Sequence, residues 1–187
     1  MALKKCVLIG GAPLTGKSTL AKKIAEQENG VLMSTDAIRD WLQSVVEKER
    51  HSGLFFSSEL SMEQLHKKYP TPQGLLEAQL AQNHEVEAAI IGLLRTRYLE
   101  WDTLVLEGIV LSPGFWDQLR KAVPAIEFQI HILCHRSEAG LIKRLQNRGV
   151  WGEQKSSSEF LEKEKTWIIL YDKLFKLQAE EYNLTTL

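Results

Sequence analysis

The stretch that decides the fold is Lys5-Cys-Val-Leu-Ile-Gly-Gly-Ala-Pro-Leu-Thr-Gly-Lys-Ser-Thr-Leu20. It contains the phosphate-binding loop pattern Gly11-x-x-x-x-Gly16-Lys17-Ser18, in which backbone N–H groups wrap a polyphosphate. The apolar run before the loop predicts a strand buried on both faces. Residues 17–28 after it predict a helix with one apolar face, whose N-terminus directs partial positive charge at the same anion. With both flanks correct, the pattern predicts a nucleoside triphosphate site; the alternative is an ordinary Gly-rich turn between strand and helix.

Each part of this loop has a predicted task. The Lys17 ammonium would reach the β- and γ-phosphates of ATP, and the Ser18 hydroxyl would ligate Mg²⁺. ATP and Mg²⁺ are therefore the expected cofactors, Lys17 is predicted to be catalytic, and Ser18 is the predicted metal ligand. The predicted nucleotide-binding residues are Gly11, Ala12, Pro13, Leu14, Thr15, Gly16, Lys17, Ser18 and Thr19.

Strands and helices alternate along the rest of the chain. A short strand at residues 31–33 leads to a helix at about residues 37–46, which Asp36 is expected to cap. Further strands are predicted at residues 103–106 and 126–134, each followed by a helical segment. Such an alternation predicts an α/β protein with a mostly parallel sheet.

Length and charge bound the class of protein. At 187 residues the chain is expected to form a single domain, residues 1–187. A formal net charge of −1 gives no electrostatic reason to expect nucleic acid or a membrane surface as a partner. Because no apolar run has membrane-spanning length and no signal peptide precedes the first strand, a cytoplasmic protein with a small-molecule partner is expected.

Two segments interrupt the α/β pattern. Residues 47–70 have weak periodicity and are interpreted as an acceptor-binding insertion, the alternative being a surface decoration. Residues 149–158 are polar and contain glycine, which predicts a lid that closes over the triphosphate. Arg144 and Arg148 precede this lid at i,i+4 and are predicted to be its catalytic cations, or else part of a solvated basic face. Trp151, within the lid, could cover the nucleotide base.

Polar residues at the ends of two further strands complete the predicted site. Ligands of parallel sheets bind at the carboxyl ends of the strands, so Asp36 and Glu107-Gly108 are expected to meet the phosphate loop in one crevice. Asp36 is predicted to orient or deprotonate the acceptor hydroxyl; its alternative is a helix cap alone. Arg39 is predicted to bind an anionic acceptor, and its alternative is a solvated helix arginine. Glu107 is predicted to lie in the Mg²⁺ shell or to pair with Arg39 or Lys17.

Three runs of the sequence carry a resemblance to one group of proteins. The chain resembles the 2-phosphoglycerate kinase-like P-loop proteins in Gly10-Gly-Ala-Pro-Leu-Thr-Gly-Lys-Ser-Thr19, Ser34-Thr-Asp-Ala-Ile-Arg39 and Leu106-Glu-Gly-x-x-Leu-x-Pro113. More loosely, it is similar to small-molecule kinases of the adenylate kinase-like fold, including gluconate kinase and chloramphenicol phosphotransferase.

The resemblance carries expectations about fold and site. It implies a three-layer P-loop NTPase fold, in which helices flank a mostly parallel four- or five-stranded sheet and a helical insertion and a lid are added. It implies that Lys17 and Ser18 bind the nucleotide, that Asp36 and Arg39 bind the acceptor, and that the two lid arginines close the site.

The expected function is an ATP- and Mg²⁺-dependent phosphotransferase that moves the γ-phosphoryl group to a hydroxyl of a small metabolite. Arg39 and the cations of the insertion favour an anionic metabolite. Two alternatives stay open: a nucleotide kinase, and a nucleotide-dependent regulatory or binding P-loop protein with slow hydrolysis. Turnover separates the kinases from the regulator, because an acceptor accelerates ADP release only in a kinase.

Overall fold

Four parallel strands form the sheet, as the alternation of elements predicts. They are β1 (Lys5–Gly11), β2 (Val31–Ser34), β3 (Thr103–Glu107) and β4 (Glu127–Leu133), in the order β2-β3-β1-β4. The structure is a computed structural model that describes residues 3–58, 60–96, 99–148 and 158–187, without the side chains of Met62, Glu63 and Arg148. The strand that carries the phosphate loop thus lies inside the sheet, between β3 and β4.

Seven helices in the described residues surround this sheet. They are α1 (Lys17–Gln27), α2 (Thr35–Val45), α3 (Met62–Lys68), α4 (Pro72–Arg95), α5 (Pro113–Ala122), α6 (Glu138–Arg148) and α7 (Ser158–Glu181), with a 3₁₀ turn at Ser52–Phe55. The 3₁₀ turn and α3 form the helical insertion, whereas the predicted lid lies outside the described residues except for its last residue. No helix in the described ranges is both long and apolar enough to cross a membrane. The three-layer α/β fold is confirmed.

The two faces of β1 pack against different helices because successive strand residues point to opposite sides. Leu8 joins a core with β3 and helices α4 and α5, whereas Val7 and Ile9 pack against Ala21 and Ala25 of α1. All of these side chains except Ala25 are essentially inaccessible to water. This double burial explains why the strand is a continuous apolar run rather than an alternating one.

Most helices begin where the sequence predicts. Ser61 and Gln64 form a capping box at the start of α3, and Thr71 and Ser112 cap the helices that open with Pro72 and Pro113. The prediction for α2 is wrong by two residues: the Ser34 hydroxyl accepts the Asp36 N–H, so Ser34 is the cap. The Asp36 carboxylate is therefore not needed to cap the helix.

The C-terminal residues add a single bridge to the sheet rather than a fifth strand. Thr186 forms a parallel bridge with Ile132, and the Leu187 N–H donates to the Ile132 carbonyl at 2.8 Å. Cys134 N–H in turn donates to the Leu187 carbonyl at 3.1 Å. These last residues extend the sheet beyond β4 by one bridge only, too short an element to show as a strand pattern in the sequence.

Candidate functional site

A cleft of about 500 Å³ opens at the carboxyl ends of the strands. It brings together most of the residues predicted for the site: the loop from Pro13 to Thr19, Asp36, Arg39, Glu107, Gly108 and Arg144. Gly11 and Ala12 lie behind this lining, where a side chain on Gly11 would overlap the Leu133 carbonyl. The side chain of Arg148 and all of Trp151 lie outside the described residues. The convergence expected of parallel strand ends is thus present, while the role of each residue stays a prediction.

The carbonyl groups of the phosphate loop are held by side chains. The Ala12 carbonyl accepts from Lys17 Nζ at 2.7 Å and from Thr15 Oγ1 at 2.8 Å. His135 Nε2 donates to the Pro13 carbonyl at 2.8 Å, and Arg144 Nη1 donates to the Leu14 carbonyl at 2.7 Å. Three consecutive carbonyl oxygens are therefore occupied, which fixes the orientation of the peptide groups between them.

The backbone of the loop has the conformation of an anion-binding site. Leu14 and Gly16 have positive φ angles of 64° and 99°, and left-handed residues within a loop turn successive N–H groups toward one point. Helix α1 begins immediately afterwards, so its N-terminal partial positive charge lies at the same place. The buried Lys17 adds a full positive charge. Together these groups can hold a polyphosphate.

Ser18 and Glu107 form the pair that fits a divalent cation. β3 pairs in register with β1, and Ser18 Oγ donates to Glu107 Oε2 at 3.2 Å. Mg²⁺ prefers oxygen ligands and is commonly held by one or two protein oxygens together with substrate phosphates, so this donor set suits it. Whether Glu107 lies in the Mg²⁺ shell or pairs with Arg39 or Lys17 stays a prediction. Among the described residues no larger group of acidic, histidine or cysteine side chains offers a metal site.

Gly108 lets β3 and α2 approach each other at the floor of the cleft. Its φ angle is +154°, and a Cβ atom there would lie 1.7 Å from Thr35 Oγ1. A side chain at this position would therefore collide with the first residue of α2 and strain the backbone. Asp36 follows Thr35 in α2, so this close approach brings the Asp36 carboxylate to the edge of the same cleft.

Arg39 is bound by two carboxylates of its own helix. Its Nη1 donates to Asp36 Oδ1 at 3.0 Å, and its Nε and Nη2 donate to Asp40 Oδ1 at 3.0 and 2.8 Å. Asp36 and Arg39 line the cleft, whereas Asp40 does not. The three side chains together carry one more negative than positive charge, so the Arg39 guanidinium attracts anions less strongly than an unpaired arginine would.

Four other lining residues were not predicted from the sequence. They are Gln79 on α4, Ile109 after β3, and Glu164 and Trp167 on α7. Each polar member looks like an ordinary helix residue in the sequence, and only the packing of α4 against α7 brings them to the site. Conversely, no described residue of the 47–70 insertion lines the cleft, although the Leu54 carbonyl within it accepts from Gln43 and Gln82.

The fold and the cleft define the class of this protein: it is an α/β protein with the P-loop NTPase fold. The chain belongs to the AAA domain family, whose sequence profile matches residues 7–166.

Two solved structures illustrate the fold. A gluconokinase from Sinorhizobium meliloti 1021 is 16% identical, with a TM-score of 0.50 over 98% of this chain and 96% of that chain. A chain of the Pnkp1/Rnl/Hen1 RNA repair complex is 18% identical, with a TM-score of 0.54 over 97% of this chain and 47% of that chain. Such low identities show a common fold only. No curated protein matches the chain.

The pKa of the His135 imidazole, which contacts the phosphate loop, is lower in the folded protein than its ordinary value. Burial lowers the pKa of the His135 imidazole, opposed by the hydrogen bond to the Pro13 carbonyl and by Asp172, while Arg144 and Lys17 act with burial. The neutral ring is therefore favoured in the folded protein. Between the unfolded pKa, about 6.5, and the lower folded value, the unfolded chain binds more protons, so stability falls as the pH drops through this window.

We predict that His135→Gln reduces the acid-induced loss of stability. The free energy of unfolding, measured with urea at about pH 8 and about pH 5.5, should differ less between the two conditions in the variant than in the wild type. Burial also lowers the pKa values of His66 and His131, so part of the loss should persist. The same loss in both proteins would contradict the assignment to His135.

Proposed function

We propose that this protein is an ATP- and Mg²⁺-dependent phosphotransferase that transfers the γ-phosphoryl group to a hydroxyl of a small metabolite. One observation carries the proposal: a single cleft contains an anion-binding loop, the Ser18–Glu107 oxygen pair and the Asp36 carboxylate. Phosphoryl transfer needs bound phosphates, a cation and an oriented acceptor, and these three features can supply them. The fold shared with a gluconokinase is consistent with this chemistry.

The residues of the cleft would divide the work. The loop N–H groups and Lys17 would hold the β- and γ-phosphates, and Arg144 could move from the Leu14 carbonyl onto the transferred group. Ser18 and Glu107 would hold Mg²⁺, which would neutralise charge on the phosphate oxygens. Asp36 would accept the proton of the acceptor hydroxyl and orient its oxygen toward phosphorus. Closure of residues 149–158 would exclude water.

An anionic acceptor is proposed from the remaining donors of Arg39. A guanidinium has five N–H groups, and three of those on Arg39 are taken by Asp36 and Asp40. One hydrogen remains on each terminal nitrogen, and such a pair can bind a carboxylate or phosphate in parallel. A phosphorylated hydroxy acid such as 2-phosphoglycerate would fit this chemistry, as the sequence resemblance suggests. The excess negative charge of the three side chains opposes it, so the acceptor screen includes neutral alcohols.

A screen for phosphorylated product tests the proposed function. The protein is incubated with Mg²⁺, ATP and a panel of hydroxy acids, phosphorylated hydroxy acids, neutral polyols and nucleoside monophosphates, and products are identified by mass spectrometry. We expect transfer to a small hydroxylated metabolite, and a loss of at least about 10²-fold in Lys17→Ala, because a preorganised charge at the phosphoryl group is removed. Transfer only to nucleoside monophosphates would establish a nucleotide kinase. ATP binding without any transfer would favour the regulatory alternative.

Asp36 and Asp40 provide a matched pair for the role of the catalytic carboxylate. Both bind Arg39, but only Asp36 lines the cleft. Asp36→Asn should lower kcat by about 10²–10⁴-fold, the range for loss of a general base, with little change in the KM for ATP. Asp40→Asn should keep kcat within about threefold because no proton transfer depends on it. Equal losses in both variants would indicate that Asp36 only positions Arg39.

A further inference from the structure

One wall of the cleft is not used by the proposed reaction. It consists of Gln79 on α4 and of Glu164 and Trp167 on α7, and we call it the inner wall. The three residues are only 4, 6 and 4% exposed. Buried polar groups in proteins are almost always hydrogen-bonded, either within the protein or to a ligand. The hydrogen-bonding capacity of the inner wall therefore indicates what it can bind.

Trp167 supplies a donor. Its Nε1–H is buried, and no group in the described parts of the chain accepts it. The indole packs edge-on against Tyr171, with ring centroids 5.8 Å apart and planes at 69°. The Tyr171 hydroxyl is itself fixed, because it donates to the Ile109 carbonyl at 3.1 Å and accepts from Asn83. The indole is thus held in place in a wall of the cleft, and its N–H has no acceptor among the described residues.

Gln79 supplies an acceptor. Its amide nitrogen donates to Gln82 Oε1 at 3.1 Å and to Asn83 Oδ1 at 2.9 Å, which uses both amide hydrogens. Gln82 donates onward to the Leu54 carbonyl at 2.6 Å, so the orientation of this network is determined. The oxygen of the Gln79 amide is therefore the atom that can accept a hydrogen bond from a ligand in the cleft.

The hydrogen-bonding groups of the inner wall select the kind of ligand group. Glu164 lies one turn before Trp167, on the same side of α7. A carboxylate or phosphate of the ligand could accept from Trp167 but could not donate to Gln79. A hydroxyl group both donates and accepts, so it can satisfy Gln79 and Trp167 together.

The inner wall adjoins the end of β3. Tyr171 joins α7 to Ile109, which follows Glu107-Gly108 at the end of β3. β3 lies between the phosphate-loop strand β1 and strand β2, whose end leads to Asp36. A ligand with one hydroxyl at Asp36 can therefore present another part of itself to the α4–α7 side.

We propose that the inner wall binds a second hydroxyl group of the acceptor, which makes the acceptor a polyhydroxylated small molecule of the sugar or polyol type. The inference rests on the proposed function, because it takes the phosphoryl acceptor to be the ligand of this wall. An acidic group on the same molecule would lie at Arg39. The substrate class is then a polyhydroxylated acid or a neutral polyol.

The indole N–H resonances report directly on this contact. The full chain is labelled with ¹⁵N, saturated with Mg²⁺ and a non-hydrolysable ATP analogue, and titrated with glycerol, ribitol, gluconate and succinate. Trp167→Phe assigns the Trp167 signal, and Trp116 is the control, because its buried Nε1–H also has no described partner but does not line the cleft. We expect ribitol or gluconate to shift the Trp167 signal, and succinate, which has no hydroxyl, to leave it in place.

Kinetics with the acceptor that is phosphorylated gives the second readout. Trp167→Phe should raise the KM for the acceptor about five- to tenfold, the effect of one lost hydrogen bond. The KM for ATP should stay unchanged, and Trp116→Phe should leave both constants unchanged. A Trp167→Phe effect confined to the KM for ATP would assign the wall to the nucleotide base and overturn the inference.

The inference and the proposed function fail in different ways. A Trp167 signal that none of the hydroxylated probes moves, or that succinate moves equally, overturns the polyhydroxylated acceptor even if phosphoryl transfer to another metabolite is found. A Trp167 signal that polyols shift, in a protein that phosphorylates no member of the acceptor panel, supports the hydroxyl-binding wall and removes the kinase proposal instead.

Discussion

The in-register pairing of β1 with β3 is the constraint on which the site depends. Ile9 lies opposite Glu107, so the strand that ends in the phosphate loop and the strand that ends in the acidic residue finish side by side. The Glu107 carboxylate then reaches the Ser18 hydroxyl, and Gly108 allows α2 to approach until Asp36 reaches the cleft. A shift of one residue would point Glu107 to the opposite face of the sheet, because strand side chains alternate. The buried apolar residues of both strands hold this register.

The loop and the acceptor side have opposite electrostatic characters. At the loop, the positive end of the α1 helix dipole, the buried Lys17 and Arg144 lie together, and all three favour the binding of phosphate. Around Arg39, the carboxylates of Asp36 and Asp40 outweigh the single positive charge. In the proposed reaction, such a division would hold the triphosphate on one side and leave the other for hydroxyl groups. It also suits phosphoryl transfer, in which the nucleotide brings the negative charge and the acceptor brings a proton to be removed.

The sequence predicts the fold and the nucleotide half of the cleft because these depend on local patterns. The phosphate loop and the buried strand before it are patterns of contiguous residues. The other features of the cleft depend mainly on tertiary contacts, which local sequence patterns do not predict. His135 reaches the Pro13 carbonyl from a distant part of the chain. The cap of α2 is the exception, because the Ser34 hydroxyl accepts the N–H of Asp36 only two residues away. Gln79 on α4 and Trp167 on α7 line the cleft only because these two helices pack together, and no pattern in the sequence predicts that packing.

The coupling between Mg²⁺ and ATP binding tests the register-dependent site most directly. Calorimetric titration of ATP, with and without Mg²⁺, gives this coupling for the wild type and for Glu107→Gln, with the surface variant Glu47→Gln as the control. The account predicts that Mg²⁺ tightens ATP binding to the wild type and the control, and that Glu107→Gln loses about 10–100-fold of that gain, as when a residue that orients a metal ligand is removed. A full Mg²⁺ effect in Glu107→Gln, or no binding of ATP to the wild type, would contradict it.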